Sequence, residues 1–291
     1  MYLTMYLFKK ICFMVLSDRG RDTECPKKNM KNFIQKLINL TGYKLTKLTS
    51  IDKGDIDEIT KYLINIQTPV IFDVGANQGQ SIKKYKKLYN DARIHSFEPQ
   101  AKEVEILKKK YENDQKLFLN CVAVGEKQGT LDFNINVESS HSSFKNLIPN
   151  TTWIKKRSLR EKIKSEKYTI EKIPTRIITL DDYAKKNKVN NIDILKIDTQ
   201  GYEDKVLQGA QELLKNKKIK LIKLEMIFSE IYENPLQIYD VEKFLILNDY
   251  KLFGISNGGS LISHYIYQAD FIYVSPEVYE NFNTRSPYFE N

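Results

Sequence analysis

The chain has 291 residues, of which 41% are hydrophobic and 29% are charged, and its formal net charge is +9. These values are typical of a soluble globular protein that forms its core without disulfides or metal ions. No run of residues approaches the roughly 20 apolar positions that a membrane-spanning helix needs, so the sequence predicts no transmembrane segment.

The cysteines and the first residues indicate the compartment. Cys12, Cys25 and Cys121 are far apart and form no CxxC pair, which argues against a zinc site and a disulfide framework and favours a reducing compartment. The apolar start of the chain is interrupted by Lys9 and Lys10 and lacks the charge and small-residue pattern of a signal peptide. We therefore expect a cytoplasmic protein, with weak contact to a membrane surface as the alternative.

Positive charge is concentrated in two segments. Residues 1–50 and residues 145–176 each contain ten Lys and Arg against three acidic residues, so each has a net charge of +7. We expect residues 1–60 to form an N-terminal extension with a helix at 31–40, where apolar side chains have helical spacing. Residues 61–291 are expected to form the main domain.

From about residue 68 the sequence alternates between predicted strands and predicted helices. Strands are expected at 70–74, 93–97, 117–125, 192–198 and 220–226. Helices are expected at 80–90, 100–112, the stretch that carries Val206 to Leu214, and 241–250. The alternation predicts an α/β fold with a doubly wound, mostly parallel sheet. Two final runs, 251–256 and 270–275, predict a C-terminal antiparallel strand pair.

The stretch between the third and fourth of these strands has a weaker pattern. Residues 130–136 follow Gly129 and alternate in polarity, so they are expected to pair as a hairpin. Residues 138–176 are polar, basic and weakly periodic, which is typical of an insertion or a mobile lid.

The most specific motif is a glycine loop, VIFDVGANQGQ, at residues 70–80. Gly75 and Gly79 follow a strand and precede a helix, where glycine allows a tight turn and close approach to a ligand. Asp73 lies two residues before the loop. Glu98 ends the next strand, where an acidic residue accepts hydrogen bonds from two ribose hydroxyls.

The spacing of this loop favours one nucleoside cofactor over another. NAD-binding folds use G-x-G-x-x-G to hold a pyrophosphate, whereas this chain has G-x-x-x-G with an acidic residue before it. That difference argues against a nicotinamide-dependent oxidoreductase. Carboxylates near the loop suit a ligand with an ammonium and a sulfonium group, which is S-adenosylmethionine.

The motifs together resemble those of the FkbM family of methyltransferases over about residues 68–275. The stretches that carry the resemblance are FDVGANQG, HSFEP, NCVAVGEKQGTLDF, ITLDDY, DILKIDTQGYEDKVLQGA and LIKLEMIFSEIYE. The resemblance implies a class I, Rossmann-like methyltransferase that uses S-adenosylmethionine and acts mainly on oxygen, often in glycan or natural-product biosynthesis.

The resemblance also implies which residues bind the cofactor. The glycine loop would bind its methionine half, the acidic residue at 98 its ribose and the end of the third strand its adenine. The LKIDTQGYE stretch would face the transferred methyl group. The candidate cofactor residues are Asp73, Gly75, Ala76, Asn77, Gly79, Glu98, Asn120, Val122, Ala123 and Asp198. Many relatives have an acidic residue where this chain has Gln200, so a role that needs a carboxylate there is in doubt.

Methylation of a hydroxyl needs a base, because an alcohol oxygen is a poor nucleophile until its proton leaves. Asp198, which ends an apolar strand, is the first candidate, Glu225 is the second and His141 is the third. Glu203 is expected to cap or orient the helix after Gly201. The sequence predicts no metal site, because no His or Cys cluster is present. A loosely held magnesium ion at the two carboxylates stays an open alternative.

These features predict O-methylation of a hydroxyl on a sugar, glycan or related metabolite. The basic segment suggests that this acceptor is acidic. One alternative is a nucleic-acid methyltransferase, which the positive charge would suit. However, the chain lacks the Pro-Pro pair that follows the acid or Asn of enzymes that methylate base nitrogens. The other alternative is a non-catalytic cofactor-binding scaffold. The oligomeric state is not predicted.

Overall fold

A computed structural model describes residues 56–256 and 266–284. The helix predicted at 31–40 lies outside these ranges. None of the helices within them has the length and apolar character required to cross a bilayer.

The described residues form strands and α-helices that alternate along the chain. The strands are β1 (Val70–Val74), β2 (Arg93–Phe97), β3 (Leu117–Asn120), β4 (Ala123–Val124), β5 (Gly129–Asn136), β6 (Thr169–Ile178), β7 (Ile192–Ile197), β8 (Ile219–Ile227), β9 (Lys251–Ile255) and β10 (Gln268–Val274). The α-helices are α1 (Ile56–Leu63), α2 (Gln80–Leu88), α3 (Ala101–Lys110), α4 (Thr152–Arg160), α5 (Leu180–Lys186), α6 (Glu203–Gln208), α7 (Gln211–Lys215), α8 (Ile238–Leu245) and α9 (Pro276–Asn283).

The main sheet has seven strands in the spatial order β3, β2, β1, β7, β8, β10 and β9. The first five of these are parallel, and β10 runs antiparallel between β8 and β9. This arrangement confirms the predicted doubly wound sheet and its C-terminal antiparallel pair. The strand order reverses beside β1, so the carboxyl ends of β1, β2 and β7 meet at the point where such sheets bind ligands.

Two apolar layers cover the sheet because successive side chains of a strand point to opposite faces. On one face, Ile71 and Ile194 pack with residues of α1, α2, α3 and α9. On the other, Phe72 and Leu195 pack with residues of α5, α6, α7 and α8. These four strand side chains are fully buried, which explains why the central strands lack an alternating polar pattern. Helix α1 spans the domain boundary predicted at residue 60.

The predicted strand at 117–125 is in fact two strands in different sheets. Strand β3 ends at Asn120, whose carbonyl accepts a hydrogen bond from the Val122 amide at 3.0 Å as the chain turns. The chain then enters β4, which belongs to a smaller sheet of three strands in the order β4, β6 and β5. Both halves are apolar, so the sequence gives no signal of the turn between them.

The basic segment at 138–176 contains regular structure, which its weak periodicity did not predict. It includes helix α4 and most of β6, the antiparallel partner of β5. Strand β5 therefore pairs with β6 across a long connection, and not through a tight turn as expected for a hairpin at 130–136. Only Ile154 and Ser158 of α4 are buried, and β6 is mostly exposed, so neither element shows a clear apolar stripe.

Gly75 is a position that should tolerate no side chain. Its φ is +81°, and a Cβ atom there would lie 1.9 Å from the carbonyl oxygen of Asp198. Backbone strain and overpacking each cost about 1–3 kcal/mol, so Gly75→Ala should lower the free energy of unfolding by roughly 2–5 kcal/mol in urea denaturation. Gly129→Ala is the matched control, because a Cβ at that position meets nothing within 4 Å. Equal stability of the two variants would show that the loop does not pack against β7 as described.

Candidate active site

A cavity of about 380 Å³ opens at the carboxyl ends of β1, β2 and β7. Its walls come from the glycine loop, the start of α2, the segments after β2, β3 and β7, and the inward-facing residues of β8 and β10. The predicted residues that line it are Gly75, Ala76, Asn77, Glu98, Val122, Ala123, Asp198 and Glu225. The predicted residues that do not line it are Asp73, Gly79, Asn120 and His141. A cavity of this size is typical of a small-molecule or cofactor site.

The glycine loop is held against the neighbouring strands by backbone hydrogen bonds. The amides of Gly75 and Ala76 both donate to the carbonyl of Phe97, at 3.0 and 3.2 Å. Gly79 lies away from the cavity and begins α2 in the left-handed conformation, where a Cβ would lie 2.6 Å from Leu107. The first glycine therefore shapes the cavity, and the second lets the helix start.

Asp73 lies beneath the cavity floor and is completely buried. Its Oδ2 accepts hydrogen bonds from the hydroxyls of Ser81 at 2.6 Å and Ser96 at 3.2 Å. Its Oδ1 lies 3.3 Å from the ammonium of Lys196. Asp73 therefore acts on the site through these partners and does not face the ligand space.

Lys196 is the residue that joins the loop to β7. Its Nζ donates to the carbonyl of Gly75 at 2.7 Å and lies 3.5 Å from Asp198 Oδ2. Burial alone would lower the pKa of Lys196, but the carboxylates of Asp73 and Asp198 outweigh it and raise this pKa above its ordinary value. Lys196 was not predicted from the sequence, because a single lysine within an apolar strand is usually interpreted as a solvent-exposed side chain.

Glu98 faces the cavity with a buried carboxylate. Its Oε2 accepts from the Asn77 amide at 2.8 Å, and its Oε1 accepts from the backbone and side-chain amides of Gln100 at 3.0 and 3.1 Å. Burial raises the pKa of Glu98, and these hydrogen bonds oppose the rise. A carboxylate oxygen has lone pairs for more than one donor, so these contacts orient the group and leave capacity for ligand hydroxyls.

The end of β3 contributes to the cavity through its neighbours and not through Asn120. The Asn120 side-chain amide donates to the carbonyl of Ser96 and to the hydroxyl of Tyr183, at 3.0 and 3.1 Å, and so fastens β3 to the core. Val122 and Ala123 supply the apolar wall. Sequence position identified the right segment, but the polar side chain is used internally.

Asp198 and Glu225 lie on adjacent strands and share one amide. The Nε2 of Gln200 donates to Asp198 Oδ1 at 2.9 Å and to Glu225 Oε2 at 2.8 Å. Burial raises the pKa of Glu225 to about 9, and the carboxylates of Asp198, Glu203 and Asp270 add to the rise. Two of the three candidate bases are therefore adjacent on the cavity wall.

Glu203 is a buried structural carboxylate that binds the loop before α6, and no side-chain cap begins that helix. Its Oε1 accepts from the Thr199 amide at 2.8 Å, and its Oε2 accepts from the Gly201 amide at 3.0 Å. Burial raises the pKa of Glu203 to about 7. These bonds hold the loop that carries Gln200.

His141 lies outside the cavity, in a small aromatic cluster below α4. Its Nδ1 is 2.9 Å from the hydroxyl of Tyr168 and 3.4 Å from Glu138, and its ring lies edge-on to Trp153. Burial lowers the pKa of His141, and Glu138 opposes that effect. The structure therefore separates this third candidate base from the other two.

The serine-rich segment beside His141 closes one side of the cavity. Ser139 accepts a hydrogen bond from the Asn77 side chain at 3.0 Å, and the Ser142 hydroxyl donates to the Gln100 side chain at 3.2 Å. This part of the predicted lid is thus tied to the glycine loop and to the segment after β2. Phe144 follows it and lines the same wall.

Metal binding has no visible support in the described residues. Within 56–256 and 266–284, no group of three or more His, Cys, Asp or Glu side chains is arranged to hold a metal ion. The space between Asp198 and Glu225 is bridged by the amide of Gln200.

Comparison with known proteins gives a family and one curated relative. The family model of the methyltransferase FkbM domain matches residues 73–252. The chain is 25% identical over 181 residues to 2-O-methyltransferase NoeI of Sinorhizobium fredii (strain NBRC 101917 / NGR234). The matched region covers 60% of this chain and 70% of the relative.

The solved structures that this chain matches are distant in sequence. The precorrin-6y C5,15-methyltransferase of Geobacter metallireducens GS-15 is 12% identical, with a TM-score of 0.40 and coverage of 75% of this chain and 85% of that one. Aeropyrum pernix fibrillarin with bound S-adenosyl-L-methionine is 9% identical, with a TM-score of 0.40 and coverage of 75% and 74%. Similarity at this level carries no information about the acceptor.

The ion pair between Lys196 and buried Asp73 gives a stability prediction. Lys196→Met keeps the apolar stem but leaves Asp73 without its cation, so the free energy of unfolding should fall by about 3–5 kcal/mol in urea denaturation. Lys116→Met is the control, because its ion pair with Asp91 is about half exposed and should be worth less than about 1 kcal/mol. Adding Asp73→Asn to Lys196→Met should recover part of the loss. Similar losses in the two lysine variants would contradict this account.

Proposed function

We propose that this chain, which belongs to the FkbM family of S-adenosylmethionine-dependent methyltransferases, transfers the methyl group to a hydroxyl of a sugar, glycan or related metabolite. The observation that carries the proposal is the pair of carboxylates, Asp198 and Glu225, on the cavity wall. Transfer to an alcohol oxygen needs a base at the reacting atom, and this pair supplies one. The curated relative named above is a 2-O-methyltransferase, which supports an oxygen acceptor.

The cavity residues fit the cofactor by the chemistry of their donors and acceptors. S-adenosylmethionine supplies an electrophilic methyl group on a positively charged sulfur. Glu98 presents a buried carboxylate that suits ribose hydroxyls, and Val122 and Ala123 present an apolar surface that suits adenine. Asp198 and Glu225 supply negative charge that suits a sulfonium. We assign these residues to the cofactor on that basis, with Gly75, Ala76 and Asn77 along the methionine half.

Each of these residues has a defined task in the proposed reaction. Glu98 and the loop backbone orient the cofactor, and orientation of two reactants contributes on the order of 7–11 kcal/mol in favourable cases. Asp198 accepts the proton of the acceptor hydroxyl. Its carboxylate is 36% exposed, so it is open to an acceptor that enters from the cavity mouth. Lys196 and Gln200 hold this carboxylate from below and from the side.

An acidic acceptor is supported by the exposed face of α4. Lys155, Lys156 and Arg160 of this helix are exposed to solvent. Arg157 is paired with Glu138 at 3.2 Å and lies over the ring of Trp153, so it anchors the helix, and the exposed Arg160 lies 3.5 Å from Glu161. A phosphate or carboxylate on the acceptor would be attracted to the three exposed cations, with an energy that salt screens. We propose that α4 is the acceptor side of the site.

Asp198→Asn should separate turnover from cofactor binding. Asparagine keeps the shape of the side chain but accepts no proton at neutral pH, so turnover should fall by roughly 10²–10⁴. The assay follows labelled methyl groups from the cofactor to nucleotide sugars, neutral and acidic oligosaccharides and transfer RNA, with the methylated atom identified by NMR. Asp132→Asn, on the exposed part of β5, is the control.

Two outcomes would overturn the proposal. Methyl groups found on nitrogen would reject a hydroxyl acceptor, and methyl groups found on RNA would reject a sugar, glycan or small metabolite as the acceptor. Near-normal turnover by Asp198→Asn would show that Asp198 is not the base.

A further inference from the structure

The side-chain amide of Gln200 uses both of its N–H donors inside the site. They donate to Asp198 and Glu225, and its Oε1 lies 3.1 Å from the hydroxyl of Tyr232, whose one proton it shares with the backbone carbonyl of His141 at 2.9 Å. An amide has only two N–H donors, so both are committed to the carboxylates. The two carboxylates therefore form one hydrogen-bonded unit with Gln200 between them.

The backbone of Gln200 is held in place for this task. Its φ is +58°, a left-handed conformation that a residue with a side chain adopts at some cost in energy. The hydroxyl of Ser143 donates to the Gln200 carbonyl at 2.7 Å, and Glu203 binds the amides on either side. A strained residue that is fixed by three segments of the chain is typical of a functional site.

The side chains that surround Glu225 include more acidic than basic groups. Asp270 is its cross-strand neighbour on β10, Asp198 faces it from the end of β7 and Glu203 from α6. Lys196 is the cation that opposes them, since Lys223 is paired with Asp57 and Asp270. The Oε1 of Glu225 also accepts a hydrogen bond from the Gln268 side chain at 3.2 Å. In this setting the carboxyl group of Glu225 stays protonated until a further positive charge binds beside it.

The cofactor and its product differ in that charge. S-adenosylmethionine has a positive sulfur, and S-adenosylhomocysteine has a neutral one, while the rest of the two molecules is the same apart from the methyl group. We propose that Glu225, linked to Asp198 by Gln200, releases a proton when the cofactor binds and takes one up when the sulfonium charge is lost. Glu225 thereby senses the charge state of the ligand.

This assignment gives the reaction a balanced proton path. The methyl–sulfur bond breaks, a methyl–oxygen bond forms, and the acceptor hydroxyl loses one proton to Asp198. At the same moment the loss of positive charge raises the proton affinity of Glu225, which shares the amide of Gln200 with Asp198. Asp198 gives up its proton as Glu225 takes one up, and Glu225 releases that proton to solvent when the next cofactor molecule binds. The uptake during transfer rests on the proposed function, whereas the release on cofactor binding does not.

Calorimetry on the full chain tests the proposal without any acceptor. Titrations with S-adenosylmethionine and with S-adenosylhomocysteine at pH 8, in buffers of different ionisation enthalpy, count the protons released on binding. In the ligand-free protein, burial and the neighbouring carboxylates raise the pKa of Glu225 to about 9, so we expect the cofactor to release up to about one proton more than the product does. In Glu225→Gln this difference should vanish. Glu98→Gln is the matched control, because it should weaken both ligands and keep the difference.

A second measurement uses only the wild-type protein, so it does not depend on whether a variant folds. The ratio of the two dissociation constants of the wild-type protein should shift in favour of the cofactor by up to about tenfold per pH unit as the pH rises toward 9. Equal proton counts for the two ligands, or a pH-independent ratio, would overturn the proposal. A difference that persists in Glu225→Gln and is lost in Asp198→Asn would also overturn it. Failure to find a hydroxyl acceptor would leave these results unchanged, so the two proposals fail separately.

Discussion

The site depends on one buried ammonium group. Lys196 lies within β7 but reaches across to β1, where it faces Asp73 at 3.3 Å and binds the carbonyl of Gly75 at 2.7 Å. Buried charges are tolerated when they are paired and hydrogen-bonded, and here the two serine hydroxyls on Asp73 complete the set. The same ammonium is 3.5 Å from Asp198. One side chain therefore fixes the glycine loop, the floor of the cavity and the Asp198 carboxylate relative to one another.

The electrostatics of the rest of the site depend on the acidic side chains around Glu225. Lys196 faces carboxylates at the floor, whereas on the β8 side the carboxyl groups of Asp198, Glu203 and Asp270 surround Glu225 and raise its pKa. A neutral amide at position 200 joins two of these carboxylates without adding a further negative charge. This chain therefore meets a cationic ligand with an acidic wall whose protonation responds to that ligand. An acidic residue at the same position would alter that response.

Much of the fold was predictable from the sequence, because the buried parallel strands and the loop after Val74 have strong local patterns. The sequence also located Glu98 and Asp198, since strand ends at a switch point converge. It did not predict Lys196, whose role depends on a contact with a distant strand. Asn120 and His141 were assigned to the site because of the segments in which they lie. In the structure, tertiary contacts turn the Asn120 side chain to the core and the His141 side chain to an aromatic cluster. The division of 117–125 and the structure of 138–176 also depend on pairing that local periodicity does not encode.

We infer that the cavity at the strand ends is the S-adenosylmethionine site and that Glu98 holds the ribose. The most direct test is a calorimetric titration of the wild-type chain, Glu98→Ala and the exposed control Glu105→Ala with S-adenosylmethionine and with NAD. We expect the wild-type chain and the control to bind S-adenosylmethionine alike, and Glu98→Ala to bind at least about tenfold more weakly, a difference of about 1.4 kcal/mol. Unchanged affinity in Glu98→Ala, or tight binding of NAD, would contradict the account.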